Sequence, residues 1–406
     1  MVAPLDVAVV GVGTAGAAAA LLLARAGHRV TVYERVAAPA AVGAGISLQP
    51  TGQAVLAQLG LLAPILERAA PIDRLHVVRH GGRTLVDLRY ADVDPRWLGL
   101  GLHRGTLFTT LYQAVTRAAG VTVRLGVEIT GARHTDAAVA LHGPAGPVGA
   151  HDLVVVADGA VSELHASSGV AVRSSTCRFG ALWFVGAAAG PPPRELRQVV
   201  RGARQMVGLL PTGRGPTDDA QVVSLYWSLD LADLTGWQTR GLDAWKREVR
   251  ALTADAAPVL DQITALAQVT VARYHDVRMR RWHGDRVVFI GDAAHATSPQ
   301  LGNGANLALV DAWTLAAQLT DAATLAEALA GYSRARRHHL GHYQRMSRLL
   351  TPLFQSNSRL LGAVRDLVMP LGNRLGPTRR LMVRTMAGHE RGLLLRRPLA
   401  LPAPPG

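Results

Sequence analysis

The chain has 406 residues, 49% hydrophobic and 18% charged, enough to build two or three cores and too apolar for a disordered tail or linker. Its single cysteine, Cys177, excludes a disulfide framework and a cysteine-rich metal site, and fits a reducing cytoplasm. The formal charge of +14 is uneven: between positions 331 and 406 stand 14 Arg against only Asp366 and Glu390. No nucleic-acid recognition motif accompanies this patch, which leaves a solvated face, an acidic substrate or partner, and an anionic membrane surface as its readings.

The apolar run at 7–26 has the length of a targeting or membrane segment. Its glycines, its strand-like start and the lack of Lys or Arg before it argue against both. Gly11-Val-Gly13-Thr-Ala-Gly16 follows a strand predicted at 7–10 and opens a helix predicted to about 26. A turn at Gly27 and His28 leads to a second strand at 29–33, ending at Glu34. This is the dinucleotide-binding fingerprint: a tight turn, a close backbone approach to a pyrophosphate, and an acid for ribose hydroxyls at the next strand's end. By itself it does not choose between FAD and NAD.

Residues 43–50 read as a Gly-rich loop and 52–59 as a helix closing at Gly60. Alternation in 72–94 predicts antiparallel strands, and a helix resumes in 102–111. Residues 121–125 and 138–142 predict a small hairpin-bearing region, and a strand at 153–156 leads into Asp158-Gly159-Ala-Val-Ser162. Further strands are predicted at 177–186, at 199–210 with a turn at 211–213, at 222–229 and at 269–274, with a helix at 242–252. They make an antiparallel sheet whose candidate pocket aromatics are Trp183, Phe184, Tyr226 and Trp227; alternation turns about half of such residues away from any one face.

The densest signal lies at 286–306. A β-branched and aromatic run at 287–290 predicts a buried parallel strand, which puts Asp292 at a carboxyl end, where open α/β sheets bind ligands. Gly302 and Gly304 permit close backbone approach, and a helix is predicted over 305–319. A carboxylate and a helix start facing each other suit an anionic or electron-accepting group. His295 reads as a base or, more ordinarily, as a histidine fixed by its loop. From 349 the pattern is helical, broken at Pro352, Pro370 and Pro377, and ends in a Pro-rich stretch, 399–406, predicted to be disordered.

Gly291-Asp292-Ala-Ala-His295 with Pro299, Gly302, Gly304, Asn306 and Asp311 resembles the second flavin motif of the single-component FAD-dependent aromatic hydroxylases, the para-hydroxybenzoate hydroxylase-like monooxygenases. Paired with the first fingerprint, the resemblance decides for FAD. It implies non-covalent FAD held by Gly11, Gly13, Gly16, Glu34, Arg35, Arg104, Asp158, Asp292, Gly304 and Asn306, with Asp292 on the ribityl chain and Arg104 at the pyrophosphate. Pro299 and Gly302 would form the flavin's catalytic surroundings, with no acid or base assigned. Residues 43–50 resemble the family's mobile loop beside the flavin ring. Asp158-Gly159 resembles a motif tied to both FAD and reduced nicotinamide, yet His165 stands where the family has Arg, a departure that bears on NADH or NADPH binding more than on FAD. Residues 354–366 with Met386-Ala-Gly388 loosely resemble the closing segment of the ubiquinone-ring hydroxylase branch.

The fold so implied is α/β, α+β overall. A Rossmann-like FAD-binding domain over 1–71, 100–172 and 274–345 interleaves with an antiparallel-sheet substrate domain over 72–99 and 173–273, and a basic helical segment follows over 346–406. The implied activity is monooxygenation of an aromatic or polycyclic, largely apolar small molecule, using NADH or NADPH and O2 through a C4a-hydroperoxyflavin. A flavin-dependent reductase or another non-hydroxylating flavoprotein is the alternative. A halogenase is disfavoured because Lys246 is the only lysine and no Trp-x-Trp-x-Ile-Pro run occurs.

Overall fold

The computed structural model describes residues 2–41, 43–135, 137–392, 399 and 401. Five parallel strands form its first layer, in the order Val287–Phe289, Leu153–Val156, Asp6–Val10, Arg29–Glu34 and Val121–Leu125. Val287–Phe289, Leu153–Val156 and Asp6–Val10 are almost wholly apolar because both of their faces are covered. Between the sheet and the Gly304–Asp321 helix lies the Thr14–Arg25 helix, whose run Ala17 to Ala20 is buried and lets the two helices approach closely. The outer strand Val121–Leu125, expected in a hairpin region, belongs to this sheet. As an edge strand with one neighbour it is half exposed, and its alternation mimics a hairpin strand.

A seven-stranded sheet forms the second layer, in the order Thr270–Ala272, Phe179–Ala187, Gln221–Asp230, Gln205–Arg214, Glu195–Arg201, Arg74–Arg79 and Thr84–Arg89. It is not purely antiparallel, since Glu195–Arg201 runs parallel to Arg74–Arg79. The strand expected at 199–210 is two strands joined at Gly202, whose φ of +59° makes the turn. The expected turn at 211–213 is instead a bulge within Gln205–Arg214, where the register shifts between Pro211 and Gly213. Pro breaks ladder pairing there, and a Cβ on Gly213 would stand 2.0 Å from the Arg68 carbonyl oxygen.

Residues 43–50 also differ from expectation. Gly45–Leu48 is a strand, paired antiparallel with Gly99–His103, which also pairs with Ala70–Ile72. The helix expected from 102 starts at Arg104, because Leu102 is held in that strand. The Leu325–Phe354 helix runs through position 345 and contains Pro352, and Arg359–Arg374 contains Pro370; neither proline breaks its helix. Each forgoes only the one bond its amide would donate to the carbonyl four residues back, and lies late in its helix. Pro377 sits at the start of Gly376–Met386, where its fixed φ suits a helix. The disorder expected at 399–406 falls outside the described residues except for Leu399 and Leu401, which pack against the first core.

Candidate functional site

Val10 ends its strand at Gly11, whose φ of +96° turns the chain sharply. A Cβ on Gly11 would lie 2.6 Å from the Ala157 carbonyl oxygen, and one on Gly16 would lie 1.9 Å from the Gly11 carbonyl oxygen. These two glycines let the strands and the first helix close on one another. Gly13 differs: nothing lies within 4 Å of its Cβ position, and it caps the Thr14–Arg25 helix with no side-chain bond. The first amides of that helix therefore face a cleft of about 470 Å³.

Gly11, Gly13, Glu34, Arg35, Arg104, Asp158, Asp292 and Gly304, eight of the ten residues expected to bind the cofactor, line this single cleft. Glu34 also braces the turn, its carboxylate accepting from the Val12 amide at 3.1 Å and the Val36 amide at 2.9 Å. Arg104 opens the Arg104–Arg117 helix, which the His103 imidazole caps by accepting from the Gly105 amide at 3.0 Å. Asp158 accepts from the Ser162 hydroxyl at 2.7 Å through Oδ2, while its buried Oδ1 finds no hydrogen-bond partner among the described residues. Burial pushes the Asp158 carboxyl above its ordinary range, against the Ser162 bond.

Gly16 closes the fingerprint from behind and does not line the cleft. The Asn306 side chain is likewise spent elsewhere. It is fully buried, accepts from the Gln49 amide at 2.7 Å and donates to the Ser47 carbonyl at 3.0 Å, so it clamps the Gly45–Leu48 strand to the helix start rather than reaching a cofactor.

Asp292 follows Gly291, whose φ is +60°. It is exposed toward the cleft, with Oδ1 4.0 Å from the Cβ position of Gly304, the first residue of an uncapped helix. Behind it lies a buried network. Asp311 accepts from the Gly291 amide at 2.8 Å, from His295 Nε2 at 2.5 Å and from Arg336 Nε at 2.6 Å. Burial alone would raise the Asp311 carboxyl; the charges of His295 and Arg336 bring it to about 2. His339 accepts from Arg336 through Nδ1 and donates through Nε2 to the Gly388 carbonyl at 2.7 Å; burial and the Arg336 charge hold it neutral. His295 is thus the loop-fixed histidine, with its ring spent on Asp311.

His165 Nε2 donates to the Ala293 carbonyl at 2.7 Å, so it ties the Asp158 segment to the Asp292 segment without a guanidinium. Pro299 is exposed and begins a short 3-10 turn that Gly302 ends at a φ of +61°. Gln355 tethers this loop to the large sheet: its Oε1 accepts from Gln300 at 2.7 Å and from Ser298 at 3.2 Å, and its Nε2 donates to Ser228 at 3.0 Å. Sequence reasoning placed Gln355 in the 354–366 segment but missed this tethering role, which only the folded partners reveal. It also missed Val127, Glu128 and Ile129 in the cleft wall. The rule that ligands bind beyond the carboxyl ends of parallel strands finds them once Val121–Leu125 is assigned to the parallel sheet.

The four expected pocket aromatics separate by strand parity. Trp183 and Tyr226 pack together, centroids 4.8 Å apart, and Trp183 donates to the Tyr274 hydroxyl at 3.1 Å. Phe184 and Trp227 lie on the opposite face, in a core with Trp237 and Trp245 of the Leu234–Leu252 helix, and leave the pocket assignment.

Residues 4–346 match the family model described as an FAD binding domain. The 6-methylpretetramide 4-monooxygenase of Streptomyces rimosus is 30% identical over 76% of this chain and 73% of its own length. A probable 2-heptyl-3-hydroxy-4(1H)-quinolone synthase of Rhodococcus erythropolis is 30% identical over 84% of this chain and 86% of its own. In fold, the chain is similar to Klebsiella pneumoniae HpxO complexed with FAD and uric acid, with a TM-score of 0.79 over 95% of this chain and 97% of that one at 22% identity.

Proposed function

From its membership of the FAD binding domain family, shown by the match over residues 4–346, we propose that this chain is an FAD-dependent monooxygenase of an aromatic, largely apolar small molecule, with NADH or NADPH as electron donor. The observation that carries the reading is one cleft lined both by Gly13 at an open helix start and by Asp292 and Gly304 at a second open helix start. Bound there, FAD supplies the redox and oxygen chemistry, which asks little acid or base work of the protein.

The chain's own residues bind, orient and exclude water. The amides after Gly13 and the Arg104 guanidinium meet the diphosphate, and Glu34 takes ribose hydroxyls. Asp292 accepts from the ribityl hydroxyls. The amides at Gly302 and Gly304, with the positive end of the Gly304–Asp321 helix, would favour negative charge on a bound flavin by about 1 kcal/mol. The Gln355 tether would hold the Pro299 loop beside the flavin, and the Trp183 and Tyr226 face would help orient the substrate. Asp158 and His165 stand on the nicotinamide side, with His165 in the tying role through its bond to Ala293.

The substrate class rests on the packed Trp183 and Tyr226 pair and on relatives named for 6-methylpretetramide and a heptyl-hydroxyquinolone. The test is a panel of aromatic compounds scored for stimulated NAD(P)H oxidation and for a product heavier by one oxygen atom. Oxidation with a reduced, oxygen-free product would make the chain a reductase, and a panel in which only small aromatic acids respond would overturn the apolar pocket.

A further inference from the structure

The Arg359–Arg374 helix is inverted relative to an ordinary surface helix, with its polar and close-packed side inward and its aliphatic side in solvent. Inward, Gly362 fits against the backbone at Ala203, where a Cβ would stand 2.9 Å from the amide nitrogen. The fully buried Arg365 donates to the Gly202 carbonyl at 2.9 Å and the Leu353 carbonyl at 3.2 Å, and pairs with Asp366. Outward stand Leu360, Val364, Leu367, Val368, Leu371 and Leu375, each between 42% and 71% exposed. These are six of the eleven large hydrophobic residues exposed among the described residues, gathered on a helix about 24 Å long at 1.5 Å per residue. Monomeric soluble proteins seldom leave such a stripe bare.

We infer that this helix face docks flat on an anionic lipid bilayer. Arg359 and Arg374 stand at the two ends of the helix, bracketing the stripe along its length, and Arg380 stands on the next helix. All three are exposed and form no salt bridge among the described residues. The acids nearby are taken: Asp366 by Arg365 and Arg79, Asp92 by Arg379, and Glu390 by Arg384. A second copy of the chain is disfavoured as the occupant. A two-fold axis pairs the helix with itself, so Arg359 and Arg374 meet Arg in either orientation with no free carboxylate between them. Of the chain's last residues, the described Leu399 and Leu401 pack against the first core and not on this face. The exposed apolar residues are Leu and Val alone, without the aromatic anchors of specific protein interfaces, and basic residues flanking an aliphatic stripe are what a headgroup layer recognises. No helix among the described residues is long and apolar enough to cross a membrane, so the contact lies in the interface plane.

The test is co-sedimentation of the full FAD-bound chain with phosphatidylcholine vesicles, with and without roughly one third phosphatidylglycerol, each basic residue near such a surface favouring binding about fivefold. The expected result is binding to the anionic vesicles at least about tenfold tighter than to neutral ones, weakening with salt. Leu367→Ser with Leu371→Ser should lower partition about tenfold or more on anionic vesicles. Arg359→Gln with Arg374→Gln should lower it about twenty-fivefold there and leave neutral vesicles unaffected. Flavin absorbance and melting temperature, unchanged in both variants, establish that the fold is intact. Equal partition of the wild type onto both vesicle types, or an undiminished Leu variant, would overturn the proposal. So would a concentration-dependent dimer, or capture on an acidic protein alone, that the Leu variant abolishes.

Discussion

Replacing Asp311 by Asn tests the network that seats the second flavin segment. The carboxylate is fully buried and serves three donors, the Gly291 amide, His295 and Arg336. Arg336 is itself fully buried, so the neutral amide leaves a guanidinium without its counter-charge, a change that typically costs about 3–5 kcal/mol. Unfolding entropy for 406 residues, at about 2.1 cal/mol/K each, converts that loss to a fall of about 4–6 °C in melting temperature. The effect has a defined pH window. Asp311 is held at about 2, below the ordinary carboxyl value, so its contribution is complete above about 4 and is lost as pH falls toward 2. The gap between wild type and variant in thermal melts should therefore stay constant from neutral pH to about 5 and close only below about 4. A variant melting within about 1 °C of wild type at neutral pH would show that the three bonds carry no net stability and refute the reasoning. Asp311→Leu with Arg336→Met, which removes both buried charges, should recover part of the loss.

Asp292→Ala should weaken FAD binding about ten- to hundredfold, the range for losing charge-assisted hydrogen bonds, read by flavin fluorescence on dilution. His165→Arg should shift the KM for NADH or NADPH while leaving the oxygenation step alone; stopped-flow reduction unchanged with both donors would remove His165 from the nicotinamide side. His389 stacks on Trp97 at 4.4 Å, and burial, reinforced by Arg384, lowers its imidazole to about 4. Its folded pKa is depressed, so the unfolded chain binds the proton first, and stability should fall by up to about 3 kcal/mol as pH drops from 6.5 toward 4. His389→Asn should flatten that limb in pH-dependent melts.

The parts of the site legible in the sequence are those where backbone meets ligand. Gly11 and Gly16 are demanded by contacts of 2.6 and 1.9 Å that any side chain would violate, so the fingerprint and its strand and helix neighbours leave a local signature. Parts built by long-range pairing leave none. Gln355 joins a loop 55 residues away to a strand 127 residues away, and nothing around it announces either partner. Strand parity could say that half of four aromatics turn away, but which half depended on the face that the Leu234–Leu252 helix covers. The edge strand Val121–Leu125 was misassigned because exposure gave it the alternation of a hairpin, and its error hid the wall formed by Val127 to Ile129.

The arginines after position 331 resolve into three populations with different physics, although the sequence shows them as one basic tail. Arg336 and Arg365 are fully buried and act as scaffolding, the first on Asp311 and Leu307, the second on Asp366 and the carbonyls of Gly202 and Leu353. Guanidinium suits both places, because its planar set of donors can serve a carboxylate and several carbonyls at once and stays charged when buried. Arg348, Arg379 and Arg384 are paired at 3.6, 3.5 and 3.2 Å with Asp276, Asp92 and Glu390 and add little net field. Among the described residues the exposed arginines without a salt bridge include Arg334, Arg337 and Arg345 on the Leu325–Phe354 helix, and Arg359, Arg374 and Arg380, which flank an aliphatic stripe. Summed charge therefore overstates the tail's pull on anions, because the buried and the paired arginines add little to the outward field.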